Sequence, residues 1–241
     1  MSTDNKDTAS KKVRILGVCG GIGSGKSKAC ELLVSELGCV AHIEADSIAH
    51  KVYQPGSQTI KDVVERFGTD ILQTGKPKGE EEIDRKKLGA IVFSDPDAMA
   101  TLERIVWPHV RTKILARIEE IKQEQQNESK GNNNDDNHQQ PATIVLESAV
   151  LLDAEWEDLL DGIWLVRVPH TVAIQRLVQY RNFSEEDAQK RIEAQQTRRG
   201  IGNADEEVEK GVVTAIIENT GEVEELQKSL QENLHSAKSW K

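Results

Sequence analysis

The sequence predicts an α/β protein in which a parallel five-stranded sheet is covered by helices on both faces. Five short runs, 13–19, 39–43, 143–146, 163–168 and 212–217, are nearly unbroken apolar stretches, the pattern of strands buried on both faces. Helical stretches separate them, so strand and helix alternate as in repeated βα units. The first run also leads straight into a glycine cluster that opens an amphipathic segment.

That cluster reads GVCGGIGSGKSKACELL from Gly17. Glycine inside regular structure costs roughly 0.5–1 kcal/mol relative to alanine, so a group of them is expected where the backbone takes unusual angles or is closely approached. Gly20, Gly25, Lys26 and Ser27 fit the pattern G-x-x-x-x-G-K-[ST]. In that pattern the main-chain N–H groups of Gly21, Ile22, Gly23, Ser24, Gly25, Lys26 and Ser27 cradle phosphate at a helix N-terminus. Lys26 then reaches the β and γ phosphates, and the Ser27 hydroxyl ligates Mg²⁺. The segment 28–37 places Ala29, Leu32, Leu33 and Leu37 at helical spacing before Gly38. Strand, glycine loop and helix come in the order the motif requires, so the expectation is a P-loop NTPase fold with ATP and Mg²⁺ as its ligands.

The second run, 39–43, ends beside Glu44 and Asp46. If the strand stays extended, residues two apart project from one face at its carboxyl end, where open α/β sheets bind ligands. A first-turn helix position is the other reading of this pair. The stretch 47–122 is too long for a simple crossover and has helical patterns at 84–93 and 96–106, so it is expected to be a helical insertion on the acceptor side. Residues 123–141 are polar, rich in Asn and Gln and without an apolar anchor, which predicts a disordered loop. Next, 170–210 gathers Arg176, Arg181, Arg191, Arg198 and Arg199 in an otherwise acidic chain. As a group they suit a helical lid over transferring phosphate, because the guanidinium fork matches phosphate oxygens; singly, each fits a salt-bridged surface equally well. A C-terminal helix is expected at 221–236 and a flexible tail at 1–12, leaving 13–241 as one domain.

The bulk properties narrow the partners. A chain of 241 residues with a net charge of −10 suits one domain with embellishments, and its acidity argues against nucleic acid or an anionic membrane as a partner. No apolar stretch is long enough to span a bilayer, and the opening residues resemble neither a signal nor a transit peptide, so the expected compartment is the cytoplasm. The three cysteines, Cys19, Cys30 and Cys39, lack C-x-x-C spacing and read as core residues. The six histidines show no H-x-x-x-H pair, which favours structural or surface roles over a metal site.

GGIGSGK followed by CVAHIEADSIAHKVYQPG resembles the dephospho-coenzyme A kinase family, whose members carry Asp-Ala-Asp, Ile-Ala-Arg/His and Pro-Gly in this order. Asp46 matches the second aspartate, the family's base, and Glu44 stands in place of the first. Phe67-Gly68, Ile71-Leu72, Asp84-Arg85 with Leu88, Val92-Phe93 and Leu102-Glu103 follow in the family's order. Pro108 matches the proline of a His-Pro motif in which Trp107 replaces the histidine. VLESAVLLDA resembles a Pro-Leu-Leu-Phe-Glu segment, with Ala149 for proline and Asp153 for glutamate. Gln175-Arg176, Arg181, Arg191-Ile192, Ala194-Gln195, Asn219 and Gly221 resemble the family's lid and its terminal Asn-x-Gly.

The resemblance implies ATP-dependent phosphorylation of the ribose 3′-hydroxyl of dephospho-coenzyme A, the last step of coenzyme A biosynthesis. Dephospho-coenzyme A is then the small-molecule substrate, Asp46 the base, Arg181 the lid group on the moving phosphoryl, and Glu44, Asp84, Arg85 and Pro108 the acceptor-side candidates. The sequence leaves the oligomeric state open. Because the phosphate loop alone does not choose an acceptor, a kinase for a nucleoside monophosphate or another small acceptor is an alternative, separable by an acceptor screen. A nucleotide-binding relative without turnover is another, motivated by Glu44, Trp107 and Asp153. A GTP switch is disfavoured, since no Asn-Lys-x-Asp and no strand-end Asp-x-x-Gly occurs.

Overall fold

The apolar runs pair into one five-stranded sheet of order β2-β3-β1-β4-β5, built from β1 (Arg14–Cys19), β2 (Ala41–Glu44), β3 (Thr143–Glu147), β4 (Gly162–Arg167) and β5 (Ala215–Glu218). The computed structural model describes residues 13–77, 79–131 and 141–241. Its helices are α1 (Lys26–Ser35), α2 (Ala45–Lys51), α3 (Gln58–Phe67), α4 (Arg85–Ser94), α5 (Pro96–Gly131), α6 (His170–Arg181), α7 (Glu185–Gln195), α8 (Ala204–Glu209) and α9 (Val223–His235). β1 pairs in parallel with β3 on one side and β4 on the other, and β4 pairs in parallel with β5. Parallel neighbours cannot be joined by a tight turn, which is why helices intervene between them. The fifth strand starts later than its apolar run, because the N–H groups of Val212 and Val213 turn back to the Glu207 carbonyl.

Two compact units divide the chain, one of Met1–Ile43 with Ile118–Lys241 and the other of Glu44–Arg117. In the first, Leu16, Val18, Val145, Trp164 and Ile217 from the strands pack with Ala29 and Leu33 of α1 and Leu226 and Leu230 of α9 in one buried cluster. Trp164 is fully buried and donates its indole N–H to the Ser239 carbonyl at 3.0 Å. Trp240 lies 5.8 Å from Trp164 between ring centroids, with the Arg14 guanidinium 3.9 Å above the Trp240 ring. These contacts fasten the chain after α9 to the sheet, and losing a buried tryptophan typically costs about 3–5 kcal/mol. The Cys19, Cys30 and Cys39 side chains are all buried and free, and burial pushes the Cys19 and Cys39 thiols up to about 12.

The second unit is helical. Ser57 caps α3 by accepting the Ile60 N–H, and Asp84 caps α4 by accepting the N–H groups of Lys86 and Lys87 at 3.0 and 3.2 Å. A single antiparallel bridge joins Leu72 to Ile83. The helix expected at 96–106 is far longer: α5 passes through Pro108 and continues to Gly131. Residues 123–131 are therefore helical rather than part of a disordered 123–141 loop, while 132–140, like the expected 1–12 tail, lie outside the described residues. The physical reason is that Glu, Gln and Lys are good helix formers needing no apolar partner once a helix is running, and buried Ile118 and Ile121 with a Lys122–Glu119 ion pair at 2.6 Å anchor the preceding turn.

Candidate active site

The glycine loop between β1 and α1 has the backbone its sequence demands. Gly20 (φ +149°) and Gly25 (φ +91°) take left-handed conformations, and a Cβ would strike the Val166 carbonyl at Gly20 and the Asn219 side-chain nitrogen at Gly25. Gly25 is the N-cap of α1, and the Ala29 N–H returns to its carbonyl at 3.0 Å. The helix thus begins at Lys26, two residues before the apolar spacing indicates. Lys26 and Ser27 stand in the first turn, where N–H groups lack helical partners and the positive end of the macrodipole lies.

Three distant side chains hold this loop. Asn219, just past β5, donates to the Ser24 carbonyl at 2.8 Å. Arg176 of α6 donates to the same carbonyl at 3.3 Å and to the Asn219 carbonyl at 2.9 Å. Gln195, at the end of α7, accepts the Ile22 N–H at 2.6 Å. A cavity of about 120 Å³ lies among the loop, the end of β4, α6 and α7, lined in part by Gly21, Ser24, His170 and Gln195. It is smaller than ordinary ligand pockets of roughly 300–1,000 Å³.

The chemistry concentrates on Ser27. Its hydroxyl donates to Glu147 Oε1 at 2.7 Å, and His42 Nε2 lies 3.0 Å from Glu147 Oε2. The β1–β3 register dictates this meeting, since Val18 pairs with Glu147 just before the glycine loop begins. Burial pushes the Glu147 carboxyl up, but the hydrogen bonds with His42 and Ser27 and the Lys26 charge outweigh it and hold the group below its ordinary value. An ionised carboxylate beside a hydroxyl is a pair of hard oxygen donors, the set that suits Mg²⁺. Glu147 escaped the sequence reading. Its signal was a carboxylate ending the apolar run 143–146, at the carboxyl end of the strand next to β1.

Of the grouped arginines, Arg176 reaches the phosphate loop. Arg181 is exposed in the last turn of α6, Arg191 lies 4.7 Å over the Phe183 ring, and Arg198 is 3.8 Å from Asp153. Arg199 is drawn into a structural network, donating to both Glu207 oxygens at 3.1 and 3.0 Å and pairing with Glu157. Asp153, which stands for the family's glutamate, accepts the Arg199 backbone N–H at 3.1 Å.

In the unit Glu44–Arg117 the acidic pair departs from expectation. β2 ends at Glu44, which is the N-cap of α2, and Asp46 sits in the first turn of that helix, so the two carboxylates do not share a strand face. Burial of Ala45 and the favourable placement of an acid near a helix N-terminus turn the chain there. Both Glu44 and Asp46 are exposed. Asp84 spends one oxygen capping α4, and Arg85 lies 2.7 Å from His50 Nδ1. Tyr53, Gln73, Asp84, Arg85 and Lys86 line a pocket of about 400 Å³. Pro108 is exposed within α5, and the neighbouring His109 ring nitrogen is 2.7 Å from Asp62.

Known proteins share this architecture and sequence. A family model described as dephospho-CoA kinase matches residues 14–225. A dephospho-CoA kinase of Carboxydothermus hydrogenoformans is 33% identical over 227 residues, covering 94% of this chain and 95% of the relative. One from Lactococcus lactis is 30% identical over 225 residues, covering 91% and 96%. Among solved structures, TT1252 from Thermus thermophilus superposes with a TM-score of 0.65 at 26% identity, covering 93% of this chain and 97% of that one. The dephospho-CoA kinase from Campylobacter jejuni shares the fold with a TM-score of 0.51 at 24% identity, covering 91% and 95%.

Proposed function

This chain belongs to the dephospho-CoA kinase family, and on that premise we propose how its residues divide the work of the reaction. The activity is ATP-dependent phosphorylation of the ribose 3′-hydroxyl of dephospho-coenzyme A, giving ADP and coenzyme A in the last step of coenzyme A biosynthesis. The observation that carries the assignment of the donor side is the 2.7 Å contact between Ser27 and an ionised Glu147 at the start of α1, behind a loop whose N–H groups open a helix.

N–H groups of the loop from Gly21 to Ser27 bind the phosphate chain, apart from those of Ile22 and Ser24, which Gln195 and the Gly21 carbonyl accept, and Lys26 neutralises charge on the β and γ phosphates. Ser27 and Glu147 would hold the Mg²⁺ that accompanies ATP, and the ion would supply positive charge there to offset the charge of the phosphates. Asn219, Arg176 and Gln195 fix the loop so that its donors are set before substrate arrives.

Asp46 accepts the proton of the 3′-hydroxyl as its oxygen bonds to the γ phosphorus and the bond to ADP breaks. Its exposure and its place three residues after buried Ile43, at the carboxyl end of β2, support this role. Arg181, exposed at the end of α6, meets charge on the transferring group. The cationic Arg85 and Lys86 beside the pocket of about 400 Å³ suit an acceptor that itself bears phosphate, with Asp84, Glu44 and Pro108 as further acceptor-side candidates.

Incubation of the purified protein with MgATP and dephospho-coenzyme A should yield ADP and a product one phosphate heavier. Turnover of nucleoside monophosphates at a comparable kcat/KM would favour the wider-acceptor reading, and ATP binding without turnover of any acceptor would make the chain a non-catalytic relative.

A further inference from the structure

Cys30, His42 and Glu147 come from α1, β2 and β3, and one ligand atom of each, a thiol sulfur, a ring nitrogen and a carboxylate oxygen, lies within 4.8 Å of the others. We propose that this triad binds a thiophilic divalent cation of the Zn²⁺ class, at a position distinct from the Mg²⁺ place but sharing Glu147 with it. Neither the cysteine nor the histidine spacing signals such a site, because the three residues meet only when β3 pairs beside β1 and α1 folds back over the sheet.

The donor set decides the class of ion. Sulfur, imidazole nitrogen and carboxylate oxygen together are zinc ligands, whereas Mg²⁺ and Ca²⁺ take oxygen. Tetrahedral zinc with bonds of about 2.0–2.3 Å sets its ligand atoms roughly 3.3–3.7 Å apart, so modest side-chain adjustment closes the triad around an ion. Cys30 and Glu147 are buried on packed elements and supply the fixed part, and His42 is exposed and supplies the adjustable part. The His42–Glu147 contact of 3.0 Å gives way to two bonds to the ion, the thiol releases its proton to solvent, and water takes the fourth position on the His42 side. The consequence is inhibition, since an ion held there draws Glu147 away from Ser27. That consequence rests on the role given to Glu147 in the kinase, whereas the binding does not.

The test uses the full chain, reduced and free of nucleotide, titrated with Co²⁺ as a spectroscopic stand-in and with Zn²⁺ against a chromophoric chelator. One equivalent of Co²⁺ should produce a thiolate-to-cobalt charge-transfer band, which disappears in Cys30→Ala. Zn²⁺ affinity should fall at least about tenfold in His42→Gln, a loss that even outer-shell partners of a metal commonly cause. Should Cys30→Ala fail to fold, His42→Gln, altered at an exposed position, carries the test. Absence of the band in the wild type, its survival in folded Cys30→Ala, or an unchanged Zn²⁺ affinity in His42→Gln overturns the site. The rate with Zn²⁺ divided by the rate without it, at saturating Mg²⁺, should fall in the wild type and recover on chelation. Zn²⁺ bound through Cys30 and His42 with no change in this ratio would support the site and overturn the role of Glu147 in the kinase.

Discussion

Glu147 accepts the Ser27 hydroxyl at 2.7 Å although 120 positions separate them in the chain. The contact joins the first turn of α1 to the end of β3, so the residue that follows Lys26 faces a carboxylate held ionised by its neighbours. Glutamine at 147 keeps the shape but loses the charge. In Glu147→Gln the Mg²⁺ concentration for half-maximal rate should rise about 10–100-fold, the range for disturbing a metal's surroundings. Rate against free Mg²⁺ at saturating ATP checks this, and an unchanged curve would reduce Glu147 to a buried hydrogen-bond partner.

Lys26 opens α1 and belongs to no buried cluster. Its replacement by alanine should abolish measurable turnover while leaving thermal unfolding within about 0.5 kcal/mol of wild type, as for surface changes generally. Near-normal activity in folded Lys26→Ala would remove the phosphate-loop mechanism.

Arg176 and Arg181 lie on the same helix and should fail differently. Arg181 is exposed and has no ion pair among the described residues, so Arg181→Lys, which loses the planar fork, should lower kcat more than it weakens ATP binding. Arg176 contacts the carbonyls of Ser24 and Asn219, and lysine cannot reach both, so Arg176→Lys should weaken ATP binding through a loosened loop. Steady-state kinetics and nucleotide titration on the two proteins separate these outcomes.

The phosphate loop and the sheet were legible in the sequence because both are set locally, by glycines that alone tolerate the backbone angles at 20 and 25 and by apolar runs that need cover on both faces. Glu147 was not, because its meeting with Ser27 depends on strand order: β3 lies beside β1 although the whole second unit separates them in the chain. Arg199 shows the converse. Its membership of an arginine-rich stretch suggested phosphate, but Glu207 and Glu157, set around it by tertiary folding, occupy its guanidinium. The helix at 123–131 was hidden because its residues lack apolar periodicity and owe their conformation to propensity and to the turn before them.

The Arg199–Glu207 pair predicts an acid-dependent stability. The Arg199 hydrogen bonds pull the Glu207 carboxyl below its ordinary value against the opposing effect of burial. A carboxylate depressed in the folded state contributes stability above its unfolded value of about 4.3, and that stability is lost as pH falls through the lower folded value. Glu207→Gln should therefore cost about 1–3 kcal/mol near neutrality, toward the low end because the Arg199 side chain is 33% exposed. For a chain of this size that is a Tm drop of roughly 2–4 °C per kcal/mol. Tm measured against pH for both proteins should converge once the pH falls below the depressed Glu207 value, and a constant gap would mean that Glu207 acts by packing alone.

Asp46 and Glu44 provide the sharpest test of the proton acceptor, because the fold separates what the sequence offered as a matched pair. Glu44 closes β2 and caps a helix without a side-chain hydrogen bond, whereas Asp46 stands one residue inside that helix and exposed. Asparagine at 46 has nearly the same shape and cannot take the hydroxyl proton. General-base assistance is typically worth about 10² to 10⁴ in rate, so Asp46→Asn should lower kcat by that order while ATP binding stays within about threefold. Glu44→Gln should keep most of its kcat, since Glu44 ends β2 while Asp46 lies in the first turn of α2, so the two carboxylates do not share a face and do not substitute for one another. If Asp46→Asn keeps more than about a tenth of kcat at saturating substrates and Glu44→Gln does not, the base is Glu44. If both keep it, transfer relies on positioning and charge, as a loose phosphoryl transition state permits, and the acceptor hydroxyl gives up its proton late.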